Sequence, residues 1–116
     1  MGTIITNKGL SKLASATVEN PIVITHFAVG DGGGVAIKPN EYMGALVNEK
    51  YRDFINDKYA NGNNTTIECV LRANAPIAEG FYIRELGIFD EDGDLIAVSN
   101  TPEQYRPSTE SGISTE

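Results

Sequence analysis

The sequence predicts an α+β fold, in which an antiparallel sheet with a central hairpin carries a short N-terminal helix packed on it. Two apolar, β-prone runs flank Asp92-Gly93. Asp-Gly between such runs predicts a two-residue type I′ turn, in which both residues take positive φ. Near the N-terminus, Leu10, Leu13 and Ala14 recur at helical spacing. They follow Thr6, a residue type that caps helices, so a helix is expected right after it.

The first strand of the predicted hairpin runs from Phe81 to Asp90, and the second from Leu95 to Val98. Strict alternation assigns the first strand's side chains to two faces: Tyr82, Arg84, Leu86 and Ile88 on one, and Phe81, Ile83, Glu85, Gly87 and Phe89 on the other. Because both faces carry large apolar groups, this strand is expected inside the sheet and covered on both sides.

Arg84 and Glu85 are charged residues within this mostly apolar strand. If alternation holds they point to opposite faces, so they do not neutralise each other. We expect Arg84 to form an ion pair with a carboxylate that fixes the register between elements, and the candidates are Glu49, Glu68 and Asp90. This structural role is favoured over a catalytic one.

The chain between the helix and the hairpin contains several shorter signals. The helix is expected to extend to about Thr17 and to be ended by Asn20-Pro21. Ile22 to Val29 is rich in β-branched residues and predicts a strand, which leads into the glycine-rich stretch from Gly30 to Gly34. Pro39-Asn40 begins a short helical or turn segment, with the asparagine as its cap.

The segment from Tyr51 to Tyr59 admits two interpretations. Its large apolar residues occur at helical spacing, which predicts an amphipathic helix. However, an Asn-Gly-Asn-Asn turn signal follows at once, so a strand–turn–strand arrangement competes. The next run, Thr65 to Arg72, alternates, and three of its side chains are expected to face the core: Ile67, Cys69 and Leu71.

Composition indicates one globular domain with few candidate chemistries. The chain has 116 residues, 41% hydrophobic and 22% charged, which is ordinary for a single domain. Its net charge of −7 disfavours binding to a nucleic-acid backbone or to an anionic membrane. Cys69 is the single cysteine, so no intrachain disulfide is possible. No apolar run approaches the roughly 20 residues of a membrane span, and synthesis in a cytoplasm is expected.

Three patterns suggest ligand sites, and each has a simpler explanation. His26 lies in a predicted strand without the additional ligands that zinc requires. The stretch from Gly30 to Gly34 lacks the Gly-Lys-Ser/Thr ending of a phosphate loop and carries the acidic Asp31. Asp90 to Asp94 resembles half of a calcium loop, but its glycine comes too early and Thr101 stands where the distal glutamate belongs. With no nucleophile–base constellation either, we expect no metal, no cofactor and no enzyme.

Six segments, taken in order along the chain, resemble one known family. They are similar to the N-terminal domain of bacteriophage tail-collar fibre proteins: Thr3 to Leu10, Ile24 to Gly32, Leu46 to Arg52, Gly80 to Asp90, Gly93 to Val98, and Tyr105 to Pro107. The resemblance implies a structural virion component that attaches a tail fibre to the baseplate of a phage or a phage-tail-like bacteriocin. It also implies strands across Tyr51 to Tyr59.

The partners that the resemblance implies are a baseplate or tail protein, a fibre shaft C-terminal to the domain, and further copies in a homotrimer. Neither nucleic acid nor membrane insertion is expected, and the protein would be made in the host cytoplasm. The attachment domain is expected at residues 1–100, with 101–116 as an extended tail or linker. Candidate residues for structural locking or partner contact are Arg84, Glu85, Gly87, Asp31, Gly32, Tyr105, Arg106 and Pro107.

A small carbohydrate-binding module that contacts host surface glycans is the alternative function. Such a module needs exposed aromatic rings on which sugars stack. The chain has five tyrosines and no tryptophan, and the spacing of the tyrosines does not gather them in the sequence. The structural role is therefore the first prediction.

Overall fold

The computed structural model describes residues 2–61, 64–72 and 75–109. Within these ranges the chain forms seven strands and one helix: β1 Thr3–Ile5, α1 Asn7–Ser15, β2 Ile24–Gly30, β3 Glu49–Phe54, β4 Asp57–Asn61, β5 Asn64–Glu68, β6 Phe81–Asp90 and β7 Leu95–Arg106. Five strands form one antiparallel sheet in the order β1-β7-β6-β2-β3, and β4 pairs with β5 in a separate ribbon. The central strand is β6, as its apolar residues predict.

The predicted α+β class is wrong, because the described chain is mostly antiparallel sheet and its helix does not form a layer of the fold. The helix α1 has nine residues and buries only Gly9. Leu10 and Leu13, which were expected to pack on the sheet, are 51% and 45% exposed. Loops cover the sheet instead.

The helix contacts β7 through its N-terminal backbone. Thr6 is the N-cap, as predicted, and its hydroxyl accepts a hydrogen bond from the Gly9 N–H at 3.0 Å. The same residue donates its N–H to the Ile96 carbonyl at 2.9 Å and its hydroxyl to the Leu95 carbonyl at 2.6 Å. Gly9 lies so close to β7 that an added Cβ would overlap the Ile96 oxygen. The apolar stripe of the helix takes no part in this attachment.

The predicted two-residue Asp92-Gly93 corner is also wrong. Four residues join β6 to β7, and residues 91–93 form a three-residue loop that hydrogen bonds of Asp90 close. The Gly93 N–H donates to the Asp90 carbonyl at 2.9 Å, and the Asp90 N–H donates to the Asp94 carbonyl at 3.1 Å. Gly93 has φ 83°, whereas no described residue other than glycine has positive φ. A type I turn followed by a left-handed glycine requires positive φ only at that glycine.

The side chains of β6 do not alternate as predicted. The register of β6 against β7 shifts between Ile83 and Glu85, and on β7 the three residues opposite this shift include Pro102. Proline has no N–H to donate to the ladder, which accounts for the irregularity at this point. As a result Phe81 and Ile83 pack in the same cluster as Leu86 and Ile88, although alternation assigns the two pairs to opposite faces.

Each face of the sheet has its own hydrophobic core. One cluster contains Ala28 of β2 and is covered by the loop of residues 31–48: Ala28, Ile37, Leu46, Phe89, Leu95 and Val98, with Met43 against it. The other contains the neighbouring residues of β2 and is covered by residues 69–71 and 75–77: Phe27, Val29, Ala75, Ile77 and Phe81. The loop of residues 31–48 therefore has to stay packed against the sheet, and the polar contacts described below fix it there.

The remaining local predictions divide into correct and incorrect ones. Across Tyr51 to Tyr59 the strand interpretation is correct and the helix is wrong, because β3 and β4 occupy the segment. After Pro39 there is a turn, in which the Asn40 side chain accepts from the Tyr42 N–H at 2.9 Å. The run that follows β4 alternates as expected: Ile67, Cys69 and Leu71 are half-buried, between exposed neighbours.

Strand β7 continues past the domain boundary that was predicted after Asn100. Its last residue, Arg106, pairs with Phe81 at the start of β6. Beyond the strand, Thr109 donates its N–H to the Ile77 carbonyl at 2.9 Å. The linker assigned to residues 101–116 stays a prediction, and residues 110–116 lie outside the described part of the chain. No helix among the described residues is long and apolar enough to cross a membrane.

Candidate functional site

The Glu85 carboxylate is fully buried and binds the backbone of two separate parts of the covering loop. Its exposure is 0%. Oε2 accepts hydrogen bonds from the N–H groups of Gly32 at 3.0 Å and Asn48 at 2.8 Å, and Oε1 accepts one from Val47 at 2.8 Å. We call these three bonds the Glu85 lock. Because both oxygens are directed at backbone amides, the carboxylate is placed to hold the loop.

Arg84 also reaches this loop, although it was predicted to point away from Glu85. Its Nη1 donates to the Asp31 carbonyl at 3.0 Å, and its Nε donates to the Glu103 carboxylate at 2.8 Å. The register shift of β6 explains why two consecutive side chains contact the same loop. The predicted partners of Arg84 are wrong, since the ion pair forms with Glu103, across the bulge of β7.

Asp31 links the two ends of the covering loop. Its Oδ1 accepts hydrogen bonds from the Gly33 N–H at 2.9 Å and from the Asn48 side-chain amide at 2.8 Å. Burial alone would raise the pKa of Asp31, but these bonds, together with the nearby charges of Lys50 and Arg84, hold it below its ordinary value. Asp31 is therefore an anion that stabilises the loop from within.

Two glycines allow the loop to lie against the sheet. Gly32 has φ 68°, and an added Cβ there would overlap the Val35 carbonyl oxygen. Gly87, in the middle of β6, lies under the covering loop, where a Cβ would come within 2.9 Å of side-chain carbons of Leu46 and Leu95. The structure thus brings Arg84, Glu85, Asp31 and Gly32 together, and it places Gly87 in the adjacent core.

The other three candidates lie near the same end of the sheet, where β7 ends. Tyr105 pairs with Tyr82, and their ring centroids are 5.0 Å apart with planes tilted by 60°. Arg106 donates from Nη2 to the Arg72 carbonyl, while its buried Nε has no hydrogen-bond acceptor within the described ranges. Pro107 is half-buried just beyond the strand. Whether any of these residues contacts a partner stays a prediction.

A second polar cluster, at the opposite end of β6, was missed by the sequence reasoning. The ammonium group of Lys12 lies 2.5 Å from Asp90, 2.9 Å from Asp92 and 2.7 Å from Asp94. The oxygens of these three aspartates lie within 4.8 Å of one another. Lys12 therefore occupies the position that a metal ion would need. Lys12 and Asp90 are 78 residues apart, so no local signal pairs them.

The charges of this cluster shift the pKa values in opposite directions. Burial would raise the pKa of Asp90, but the ammonium of Lys12 and the N–H groups of Asp94 and Asp92 lower it below 3.8. The carboxylates, led by Asp90, raise the pKa of Lys12 above its ordinary 10.5. By linkage, Asp90 contributes stability above pH 3.8 that is lost as the pH falls, and Lys12 contributes stability below pH 10.5 that is lost as the pH rises.

Replacing Lys12 by methionine is expected to reduce stability at pH 7 and to flatten the acid limb of the pH–stability curve. Three carboxylates would then face one another without a cation, so protonation would relieve repulsion instead of breaking ion pairs. Urea unfolding between pH 2.5 and 8 measures both effects, and Lys8→Met on the same helix is the control. If the variant loses stability below pH 3.8 as steeply as the wild type, Lys12 does not account for the acid limb.

The arrangement is that of a structural module whose polar interior holds its own loops. The family model of the phage tail-collar fibre protein N-terminal domain matches residues 1–116, and the chain belongs to this family, which confirms the resemblance. The sequence is 40% identical over 116 residues to the probable tail fiber protein of Escherichia phage P2. That match covers 95% of this chain and 17% of the relative, so the chain spans a small part of the relative's length. No solved structure gives a significant match.

Proposed function

We propose that this domain attaches a tail fibre to the baseplate of a phage or phage-tail-like particle. The fibre shaft follows C-terminal to it, three copies form the full fibre, and the domain works without catalysis. It is made in the host cytoplasm and resides in the virion. The observation that carries the proposal is the family match over residues 1–116. The similarity to a probable tail fiber protein, of which the match covers 17%, supports it.

The internal locks support an anchoring role. An anchor transmits force from a fibre to a tail, so its loops have to keep their shape under load. The Glu85 lock and the Lys12 cluster both join segments that are distant in sequence, by 53 and 78 residues respectively. Such contacts stabilise the domain without exposing a reactive group, which suits a structural part.

The placement of the candidate residues supports a division of the domain into two ends. Tyr105 lies at the Phe81 end of β6, where the chain leaves the sheet. Asp31 and Gly32 contact Arg84 and Glu85, in the half of the strand nearer that end. We assign this end to the shaft. The helix α1 and the acidic turn between β6 and β7 lie at the Asp90 end, which at 3.3 Å per strand residue is about 30 Å along β6 from Phe81. We assign that end to the tail.

A competition experiment in particle assembly tests the attachment function. The 116-residue chain, added in excess during assembly, is expected to reduce the number of full-length fibres on purified particles, because both compete for the same sites. Immunoblotting of the particles measures fibre occupancy, and an equal excess of an unrelated protein of similar charge is the control. Undiminished occupancy, with the added chain absent from the particles, would contradict the proposal.

Carbohydrate binding has one observation in its favour, since the fold gathers Tyr82 and Tyr105 as neighbours that are 45% and 53% exposed. Their planes are tilted by 60°, so the rings do not form the flat platform on which a sugar stacks. Arg84, which lies over Tyr82 at 5.2 Å, already binds Glu103 and Asp31. A glycan array with the isolated chain distinguishes the two functions, because specific glycan binding is expected only of the alternative.

A further inference from the structure

The apolar stripe of α1 is about half exposed and belongs to neither hydrophobic core. Leu10 and Leu13, one helical turn apart, share a side of the helix and are 51% and 45% exposed. Next to Gly9 lies Ile5, which is 38% exposed. We call Ile5, Leu10 and Leu13 the α1 surface. Single exposed apolar residues are normal, but an amphipathic helix whose apolar flank stays half exposed leaves a surface suited to a partner.

The polar contacts that hold α1 in place do not involve the side chains of Leu10 or Leu13. The helix is held by Thr6, which contacts the carbonyls of Leu95 and Ile96, and by the close approach of Gly9 to β7. Lys12 adds the ion pairs to the acidic turn. These contacts leave the leucines free on the flank of the helix away from Lys12, as the helical spacing of 100° per residue requires.

Acidic groups lie at the N-terminus of α1 and across the helix from the α1 surface. Glu41 lies at the helix N-terminus, where its backbone carbonyl accepts a hydrogen bond from the Asn7 N–H at 2.7 Å. Across the helix, about one diameter or 10 Å away, is the turn between β6 and β7 with four carboxylates: Asp90, Glu91, Asp92 and Asp94. Against these five acids stand Lys8 and Lys12. The apolar side chains are therefore set in a net negative surrounding.

We propose that the α1 surface docks into an apolar surface with a lysine- and arginine-rich rim on a protein of the phage tail. This inference rests on the proposed attachment function and names the surface that performs it. A second copy of the chain is the less suitable occupant, because five acidic groups stand against two lysines around α1, so self-association would bring like net charges together. The position of α1 at the Asp90 end also keeps it clear of the end assigned to the shaft.

Site-specific photo-crosslinking in assembled particles tests the identity of the occupant. A photoreactive residue is placed at Leu13 of the full-length fibre protein, and at the exposed Val70, which lies outside helix α1, as the control. Crosslinking from Leu13, and not from Val70, to a tail-protein peptide that contains lysine or arginine is expected. Crosslinking to another copy of the same chain, or no crosslink from Leu13, would overturn the inference.

A double variant tests whether the surface matters for attachment. Leu10→Ser with Leu13→Ser in the full-length fibre is expected to lower fibre occupancy on particles about tenfold, the effect of losing two central apolar contacts. Both side chains are about half exposed, so the thermal unfolding midpoint, measured in parallel, should fall only slightly. Normal fibre occupancy of the double variant overturns this inference and leaves the attachment function standing. The attachment function itself is contradicted if the 116-residue chain fails to compete with wild-type fibres during assembly.

Discussion

Replacing Glu85 by glutamine is expected to lower the free energy of unfolding by about 2 kcal/mol, the cost of leaving one buried N–H without an acceptor. The carboxylate accepts from Gly32, Val47 and Asn48 with both oxygens. An amide offers only one oxygen, and its NH₂ group would face an N–H donor. Alanine at the same position removes all three acceptors and leaves a cavity, so its effect should be larger. Urea unfolding at pH 7 measures the difference.

Amide exchange gives the Glu85 prediction a local readout. The N–H groups of Val47 and Asn48 are expected to exchange faster in Glu85→Gln, because the covering loop opens more often. Glu79→Gln is the matched control, since Glu79 is exposed and should change stability by less than about 0.5 kcal/mol. An equally small change for Glu85→Gln would show that the lock does not hold the loop.

Replacing Gly9 by alanine is expected to destabilise the protein by about 1–3 kcal/mol, the usual cost of overpacking. In an exposed helix the same change stabilises by roughly 1 kcal/mol, because glycine is a poor helix former. Here an added Cβ would overlap the Ile96 carbonyl oxygen and lie 3.1 Å from the Ile5 Cγ2. A backbone oxygen bound in a sheet has little freedom to move, so the sign of the effect should reverse.

Thermal or urea unfolding shows whether Gly9→Ala raises or lowers the stability of the protein. Ser11→Ala, at an exposed position of the same helix, is the control and should be neutral or slightly stabilising. A Gly9→Ala variant that is more stable than the wild type would mean that α1 stands further from β7 than described. The result also bears on the α1 surface, because that surface is presented correctly only while Gly9 lies against β7.

The local features of the chain were predictable because they depend on neighbouring residues. Thr6 was recognised as the cap from its side chain and from the helical spacing after it. The strand from Phe81 to Asp90 and its central place in the sheet followed from apolar groups on both faces. The turn type was wrong because Asp-Gly also fits a three-residue loop, and the choice depends on how Asp90 and Asp94 are bonded.

The candidate site was predictable only in its residue types. Arg84 and Glu85 stood out as charges in an apolar strand, but alternation separated them onto opposite faces. The register shift at Ile83 to Glu85, caused by residues of a different strand, directs both to the loop that contains Asp31. Nothing near Lys12 in the sequence indicated that it would meet three aspartates on the turn between β6 and β7.

The sequence by itself determined where most strands, the helix and its cap lie, and to which family the chain belongs, because these depend on the order of adjacent residues. Only the tertiary structure decided that loops cover the sheet, that Glu85 binds amides 37 to 53 residues away, and that the apolar side of α1 stays half exposed. The physical reason is that burial and hydrogen-bond partners are set by strand register and by close backbone approach, which bring together residues that the chain keeps far apart.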